Sequence, residues 1–229
     1  MPPKPEYTLT ALGDSAVLLS FEARIDPLIN HGVQALALAL QQSQYPGLEC
    51  VPGYHTLTVH FDPMQYDPVI LKDLIETQLK TLSQAPDTSR RIVLPVCYDA
   101  RVAPDLAEWA AHCGLSTDAV IALHSAPEYR VYFLGFKPGF AYLGGLPDAL
   151  HMPRKQTPRL SVPAGSVGIG GAQTGIYPSS APGGWQLIGR CPEPLFDVTQ
   201  SPPSRLQPGD RLQFTPISYR QFLDRGGVP

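Results

Sequence analysis

A stretch dense in glycine and proline, from Phe133 to Asp197, limits what this chain can fold into. Proline has no backbone N–H to donate and glycine weakens a helix, so a long helix cannot form here. Short β segments joined by tight turns are the structure that remains. Aromatic side chains stand beside Arg, Gln and Thr in the same stretch, a combination that can line a pocket or an interface. The alternative interpretation is an ordinary barrel with turn-rich loops.

Composition and charge narrow the class of protein. The chain has 229 residues, 43% hydrophobic and 16% charged, so it can bury a core in one large or two ordinary domains. Its formal net charge is −3 and its basic residues are not clustered, so we expect no nucleic-acid partner. No apolar run reaches about 18 residues and the N-terminus lacks the apolar core of a signal peptide. We therefore expect no membrane partner and a cytoplasmic protein.

The sequence indicates no metal site. The cysteines are widely spaced and form no C-x-x-C pair, so neither a zinc site nor a disulfide framework is predicted. The histidine spacings do not match a metal pair either. The four cysteines are Cys50, Cys97, Cys113 and Cys191.

Two helix-start signals organise the first part of the chain. Asp26-Pro27 and Asp67-Pro68 each place a capping carboxylate before a proline, and apolar residues then recur at spacings of three and four. Thr8–Leu12 is predicted as a first short strand, and with short strands around the two helices the order from Ser15 to Cys97 reads β-α-β-β-α-β, the ferredoxin-like pattern. We predict a ferredoxin-like domain over residues 1–89. The last strand, Arg91–Cys97, could instead belong to a second domain.

Residues 90–229 are predicted to be mostly β. Two small helices are expected at Pro104–Cys113 and Thr117–Ser125, the second capped by Ser116. An alternating strand over 129–133 then enters the turn-rich stretch, and Arg211–Thr215 forms a terminal strand. A closed or nearly closed barrel suits this pattern, and the fold class is α+β.

The glycine-rich run Pro163–Gly175, PAGSVGIGGAQTG, does not match a nucleotide-binding loop. It lacks the Gly-Lys-Ser/Thr ending and the G-x-G-x-x-G spacing. Ser166 lies in AGSVG, close to a nucleophile elbow, but Ala164 replaces the first glycine and no helix is predicted to follow. The alternative role of Ser166 is a hydrogen bond within a turn.

His124 and two arginines are the candidates for chemistry. His124 ends a predicted helix, where it could be a cation favoured by the helix dipole, a packed imidazole, or a proton carrier. Arg154 and Arg159, in MPRKQTPRL, can grip a carboxylate or phosphate with their guanidinium forks, although surface salt bridges are the alternative. The catalytic residues stay unidentified, with His124 and Arg159 as candidates. The predicted substrate-binding or interface residues are Phe140, Tyr142, Arg154, Arg159, Ser166, Gln173, Thr174 and Tyr177.

Long contiguous motifs resemble a known family. They are GFKPGFAYLGGLP, then PRKQTPRLSVPAGSVGIGGAQTGIYPSSAPGGWQLIGR, then PLFD, with PDLAEWAAHCGLS and LHSAPEYRVYFLGF upstream. This pattern is similar to the allophanate-hydrolase subunit 1 family, which includes the B subunits of bacterial 5-oxoprolinases and the kinase inhibitor KipI. The resemblance covers almost the whole chain and implies a cyclophilin-like β-barrel after the ferredoxin-like domain.

The resemblance also implies a function. Family members act with two further chains, a cyclophilin-like C subunit of the subunit 2 type and an A subunit, to open 5-oxoproline to glutamate with ATP. We therefore expect the A and C subunits of 5-oxoprolinase as partners, 5-oxoproline as the substrate, and ATP bound somewhere in the complex. The alternative from the same family is a KipI-like inhibitor of a sensor histidine kinase. Prolyl isomerisation would rest on the fold alone, and fold does not carry function.

Overall fold

The computed structural model describes residues 6–43, 45–81 and 89–229. The chain divides into two compact units, Met1–Thr88 and Ser89–Pro229. The predicted linker, Ser83–Ser89, lies outside the described residues except for Ser89. None of the helices in the described part of the chain has the length and apolar character needed to cross a bilayer.

The first unit is a four-stranded antiparallel sheet with two helices. Asp26 caps the first helix, because its Oδ1 accepts from the backbone N–H groups of Leu28 and Ile29 at 2.8 and 3.2 Å. The apolar face predicted for this helix is confirmed, since Ile29, Val33, Leu36 and Leu40 are buried in the core of this unit. The sheet order is β1-β2-β4-β3. The elements are β1 Tyr7–Leu12, β2 Ala16–Phe21, α1 Pro27–Gln41, β3 Glu49–Pro52, β4 Thr56–His60 and α2 Pro68–Thr81.

The predicted β-α-β-β-α-β order is wrong in its last element. Arg91–Cys97 pairs in the barrel of the second unit, which is the alternative placement that the sequence left open. The edge position beside β2 is taken by β1, which reaches it through a tight turn at Gly13, where φ is +64°. A short hairpin closes at little entropic cost, so β1 occupies this edge. Strands β2 and β3, which helix α1 connects, still form a split β-α-β unit in which β4 lies between the two strands.

The second unit is a closed seven-stranded barrel, as the sequence predicts, in the order β10-β7-β6-β13-β5-β12-β9. Its parallel pair, β5 with β13, is in register along seven residues. A separate ribbon pairs β8 with β11. The strands are β5 Arg91–Cys97, β6 Tyr129–Leu134, β7 Ala141–Gly144, β8 Arg159–Val162, β9 Ser166–Gly170, β10 Gln173–Ile176, β11 Ala181–Gly183, β12 Gln186–Arg190 and β13 Arg211–Ile217. The helices are α3 Leu106–His112, α4 Thr117–Ser125 and α5 Tyr219–Asp224, with a 3₁₀ turn at Asp148–Leu150.

Strand alternation sorts the side chains of the barrel into two layers. Leu143, Val167 and Ile169 belong to the large core, which fills the barrel. Among their strand neighbours, Tyr142 packs against a second cluster around Phe140 and Trp185, and Gly168 and Gly170 lie against the Trp185 side chain. The β8–β11 ribbon adds apolar residues to this second cluster. The turn-rich stretch thus builds one face of the barrel together with the layer that covers it.

Candidate functional site

Glycines on the outer face of the barrel let aromatic rings lie directly against the backbone. A Cβ on Gly170 would come within 2.5 Å of the indole of Trp185, and one on Gly175 would lie 3.2 Å from both Trp185 and Phe140. Real Cβ atoms do not approach so closely, so a larger residue at position 170 would displace the indole. The glycine density of the sequence therefore serves close packing of aromatic rings.

Phe140 and four aromatic side chains around it form one continuous cluster on this face, and Phe133 stacks on one of them, Tyr142, at 4.4 Å. Phe140 is its centre, with ring centroids 5.0 Å from Tyr142, 5.5 Å from Tyr177 and 5.6 Å from Trp185, all edge to face. Such pairs contribute about 0.5–1.5 kcal/mol beyond their buried area. Phe136 completes the aromatic cluster, with its ring 5.5 Å from Phe140. The structure thus brings together Phe140, Tyr142 and Tyr177, and their role in substrate binding or at an interface stays a prediction.

Phe136 departs from the rest of the aromatic cluster in exposure and backbone geometry. Its side chain is 58% exposed, and its φ of +63° lies in the left-handed region. A bulky residue there costs of order 1–3 kcal/mol and persists when the surrounding structure holds it, often at a functional loop. At the edge of the aromatic cluster the structure thus combines a strained backbone with an exposed aromatic ring.

The segment Pro153–Arg159 places cations beside the aromatic cluster. The Arg154 guanidinium lies 5.9 Å from the ring centroid of Trp185, within cation–π range, and the residue is exposed. Burial raises the pKa of the Tyr177 hydroxyl, with Arg154 lowering it less, so Tyr177 is neutral at pH 7 and can donate a hydrogen bond. An exposed guanidinium beside neutral phenols can receive an anion.

Arg159 is held by a buried carboxylate. Its Nη2 donates to Oδ1 of Asp105 at 2.6 Å, and Lys155 Nζ lies 3.1 Å from the same oxygen. The other oxygen of Asp105 accepts from the backbone N–H of Leu187 at 2.6 Å. Burial raises the pKa of Asp105, but the hydrogen bonds from Arg159, Leu187 and Lys155 outweigh it, so the net pKa is lowered. Asp105 thus ties the cationic segment to strand β12.

The structure places His124 inside the barrel, apart from the aromatic cluster. The side chain is fully buried and stacks on Phe214 at 4.7 Å. Its Nδ1 lies 2.8 Å from the Tyr98 hydroxyl and its Nε2 3.0 Å from Oγ1 of Thr174. Because Thr174 donates its proton to the Gly168 carbonyl at 3.1 Å, Nε2 is the donor and Nδ1 accepts from Tyr98.

Burial lowers the pKa of His124 to about 3, in keeping with this neutral imidazole. The placement favours a packed imidazole over a proton carrier. Thr174 shares this interior position, so it faces away from the other predicted contact residues.

Gln173 and Ser166 lie in the hairpin that the glycine-rich run forms. Gln173 is half-buried at the start of β10, one residue from Thr174 and therefore on the opposite face. Ser166 is buried in β9, and its hydroxyl has no hydrogen-bond partner among the described residues. The run continues as strand β10 rather than as a helix. The hairpin is therefore neither a nucleophile elbow nor a phosphate loop.

Sequence reasoning missed Asp105, Lys155 and Tyr98. Asp105 precedes a helix, where an aspartate is read as a cap, yet its side chain makes no capping bond. Its role as the buried partner of Arg159 and Lys155 is visible only in the tertiary structure. An alternating strand does not reveal that Tyr98, just beyond β5, meets His124 inside the barrel.

A closed barrel with this outer aromatic layer matches a described class of domain. Residues 7–206 match the family model of the carboxyltransferase domain, subdomain C and D. The chain belongs to this family. The resemblance identified from the motifs is confirmed by the relatives that follow.

The B subunit of 5-oxoprolinase from Bacillus subtilis is 41% identical over 228 residues, which cover 94% of this chain and 95% of that protein. Its counterpart from Escherichia coli O157:H7, also a 5-oxoprolinase B subunit, is 44% identical over 208 residues, or 90% of this chain and 94% of that protein. Among solved structures, TTHA0988 superimposes with a TM-score of 0.80 at 41% identity over 89% of this chain. This chain spans 40% of TTHA0988.

We expect Asp105→Ala to destabilise the second unit by about 3–5 kcal/mol, because two cations and the Leu187 N–H would lose their buried partner. Denaturant unfolding measures the change. Asp148→Ala, which removes a fully exposed carboxylate, should stay within about 0.5 kcal/mol of the parent. Equal losses in both variants would show that Asp105 has no special structural role.

The buried imidazole predicts acid sensitivity. The pKa of His124 is about 3 in the folded chain and about 6.5 when unfolded, so below pH 6.5 the unfolded state binds a proton first. Stability then falls as the pH drops from about 6.5 towards 3 and is constant above that window. The loss from His124 at pH 5 is about 2 kcal/mol.

His124→Gln should lack this pH-dependent component in unfolding measured between pH 7.5 and 5. The exposed His112 supplies the control, because His112→Gln should keep the component. A parent-like pH dependence in His124→Gln would contradict the assignment.

Proposed function

We propose that this chain is the B subunit of an ATP-dependent 5-oxoprolinase, which opens 5-oxoproline to L-glutamate. The observation that carries the proposal is similarity of 41–44% identity to 5-oxoprolinase B subunits over at least 90% of this chain. We further infer that the barrel is cyclophilin-like and that the first unit is a variant ferredoxin-like domain, with β1 in the place of the fourth strand. The cytoplasmic location stays a prediction.

The chemistry sets what the complex must supply. A lactam is a stable amide, and phosphorylation of its carbonyl oxygen would provide a leaving group for hydrolysis. Donors must stabilise the charge that develops on oxygen and phosphate. The Arg154 guanidinium beside the aromatic cluster is a suitable donor, because it is exposed. Arg159 can contribute through the N–H groups that Asp105 and the Trp185 carbonyl do not use.

We infer that ATP binds elsewhere in the complex. The glycine-rich run does not fit nucleotide phosphates, because it forms the β9–β10 hairpin and its glycines at 170 and 175 pack against aromatic rings. No step of the reaction is assigned to residues of that hairpin. A chain that shares its active site with the A and C subunits accounts for this arrangement.

The partner face is proposed to be the exposed part of 136–146 together with the exposed part of 165–177, since Ser166 and Thr174 of the second segment are buried. The exposed ring of Phe136 supports this assignment, because a large apolar side chain is favoured at an interface core and disfavoured in water. The substrate site would lie where this face meets the C subunit, near Arg154.

The purified chain alone should release no glutamate from 5-oxoproline and ATP, whereas the complex reconstituted with the A and C subunits should. The reason is that the described residues supply no nucleotide loop. A coupled assay for glutamate and ADP measures both reactions. Robust turnover by the isolated chain would refute the shared site, and no turnover by the assembled complex, with inhibition of a sensor histidine kinase instead, would favour the KipI-like alternative.

Arg159→Lys in the reconstituted complex should lower turnover by roughly 10- to 150-fold, because a lysine cannot reproduce a bidentate guanidinium contact worth about 1.5–3 kcal/mol. Assembly should persist, since Lys155 and the new lysine still neutralise Asp105. Steady-state kinetics and size-exclusion chromatography measure the two effects.

Arg220→Lys on the exposed face of α5 is the matched control and should be unchanged. Parent-like turnover of Arg159→Lys would remove Arg159 from the site, and loss of assembly would make it an interface residue.

A further inference from the structure

A cavity in the barrel unit contains a buried guanidinium that forms no ion pair within the described residues. The cavity has a volume of about 240 Å³ and is lined by Arg190 among mostly apolar residues. Arg190 is 8% exposed. Its Nη1 donates to the backbone carbonyl of Val228 at 2.7 Å, while Nε has no acceptor within the described ranges 6–43, 45–81 and 89–229. No carboxylate in those ranges forms an ion pair with it.

A buried cation in this state is costly. The free-energy cost of removing a guanidinium from water is offset only when its N–H groups find acceptors and an anion balances its charge. Burial lowers the pKa of Arg190, which reports the same cost. Ser166, its cross-strand partner in the β9–β12 register, is also fully buried with an unpartnered hydroxyl. Unsatisfied groups of this kind indicate a missing polar partner.

The walls define the kind of molecule that fits. Pro178, Pro192, Pro194, Leu195 and Phe222 give the cavity an apolar lining. Such walls favour a ligand with a small apolar body, and the one guanidinium with free donors favours one anionic group. The volume lies below that of drug-sized pockets, so the ligand is small.

The charged side chains around the cavity have a net positive charge, which favours an anion. Glu193 also lines it, but Arg205 and Arg225 pair with its carboxylate at 2.6 and 3.4 Å. Three guanidinium groups thus stand against one carboxylate. Cys191 is not a nucleophile here, because burial raises the pKa of its thiol to about 11.

The C-terminal segment closes one side of the cavity. Gly226, with φ of +80°, turns the chain, and a Cβ on Gly227 would lie 2.5 Å from the ring of Phe222. Glycine therefore lets the segment pass close over Phe222 and present the Val228 carbonyl to Arg190. This carbonyl fixes one end of the guanidinium through Nη1, and Nη2, which makes no hydrogen bond within the described residues, is the group that can meet a ligand.

We propose that this cavity binds the carboxylate of a small organic acid, with the Arg190 guanidinium as its anchor. The site is distinct from the cation-flanked aromatic cluster, with which it shares Tyr177. It does not depend on the proposed oxoprolinase function.

The test follows the Nε–Hε signal of Arg190 by NMR in the full chain labelled with ¹⁵N-arginine. Sodium acetate and sodium 5-oxoproline are titrated against sodium chloride at equal ionic strength, with acetamide as the uncharged isostere of acetate. We expect a saturable shift for the carboxylates, with a dissociation constant for acetate of about 1–10 mM, and none for acetamide or chloride. Because the parent protein is observed directly, this measurement does not depend on a variant folding.

Arg190→Lys should weaken acetate binding by at least about 10-fold, measured by calorimetry, whereas Arg220→Lys, an exposed site with the same chemical change, should bind as the parent does. An equal response to acetamide or chloride, or no saturable response to either carboxylate, would overturn the proposal. Tighter binding of inorganic phosphate than of acetate would overturn the carboxylate assignment, as would unchanged acetate binding in Arg190→Lys.

Discussion

The parallel pairing of β5 with β13 is the interaction on which the barrel unit depends. Seven residues of each strand are in register, although about 120 positions separate them in the chain. Arg90 reinforces this closure, because its Nε donates to Oδ1 of the buried Asp210 at 2.9 Å. Closure removes the free edges of the sheet. It also gives every strand an inside and an outside, and both the aromatic cluster and the Arg190 cavity follow from that division.

The interior and the outer face of the barrel are packed in different ways. The interior is filled by aliphatic side chains together with a neutral hydrogen-bonded chain of Tyr98, His124 and Thr174. On the outer face, glycines leave the space in which large aromatic rings pack edge to face. The polar side chains of Tyr98, His124 and Thr174 are thus satisfied and structural, whereas the rings outside end in the exposed Phe136, where contact with another molecule is favourable.

Arg154, Arg159 and Arg190 differ in how far their charge is buried and in the partner that the charge has. Arg159 meets a buried carboxylate and holds a loop in place. Arg154 is exposed beside the face of Trp185. Arg190 is buried with a carbonyl for a partner and no carboxylate among the described residues. The same type of side chain is therefore a structural tie at Arg159, an exposed cation at Arg154 and, as we propose, the anchor of a carboxylate at Arg190.

The sequence by itself determined the local structure, the fold class and the family. Proline and glycine excluded long helices from the central stretch, Asp26 and Ser116 marked helix starts that the structure has, and long motifs identified the relatives. These signals are local, so they can be read along the chain. Helix caps, turn residues and the two-residue period of a strand do not depend on distant partners.

Only the tertiary structure decided which strand joined which sheet and which charges met. Arg91–Cys97 entered the barrel because its partners lie at the other end of the chain. Gln173 and Thr174, grouped by their sequence position, separated onto opposite faces once β10 was placed in the barrel wall. The burial of Asp105 and Arg190 depends on elements far away in sequence, and burial is what makes an ordinary charged residue energetically decisive.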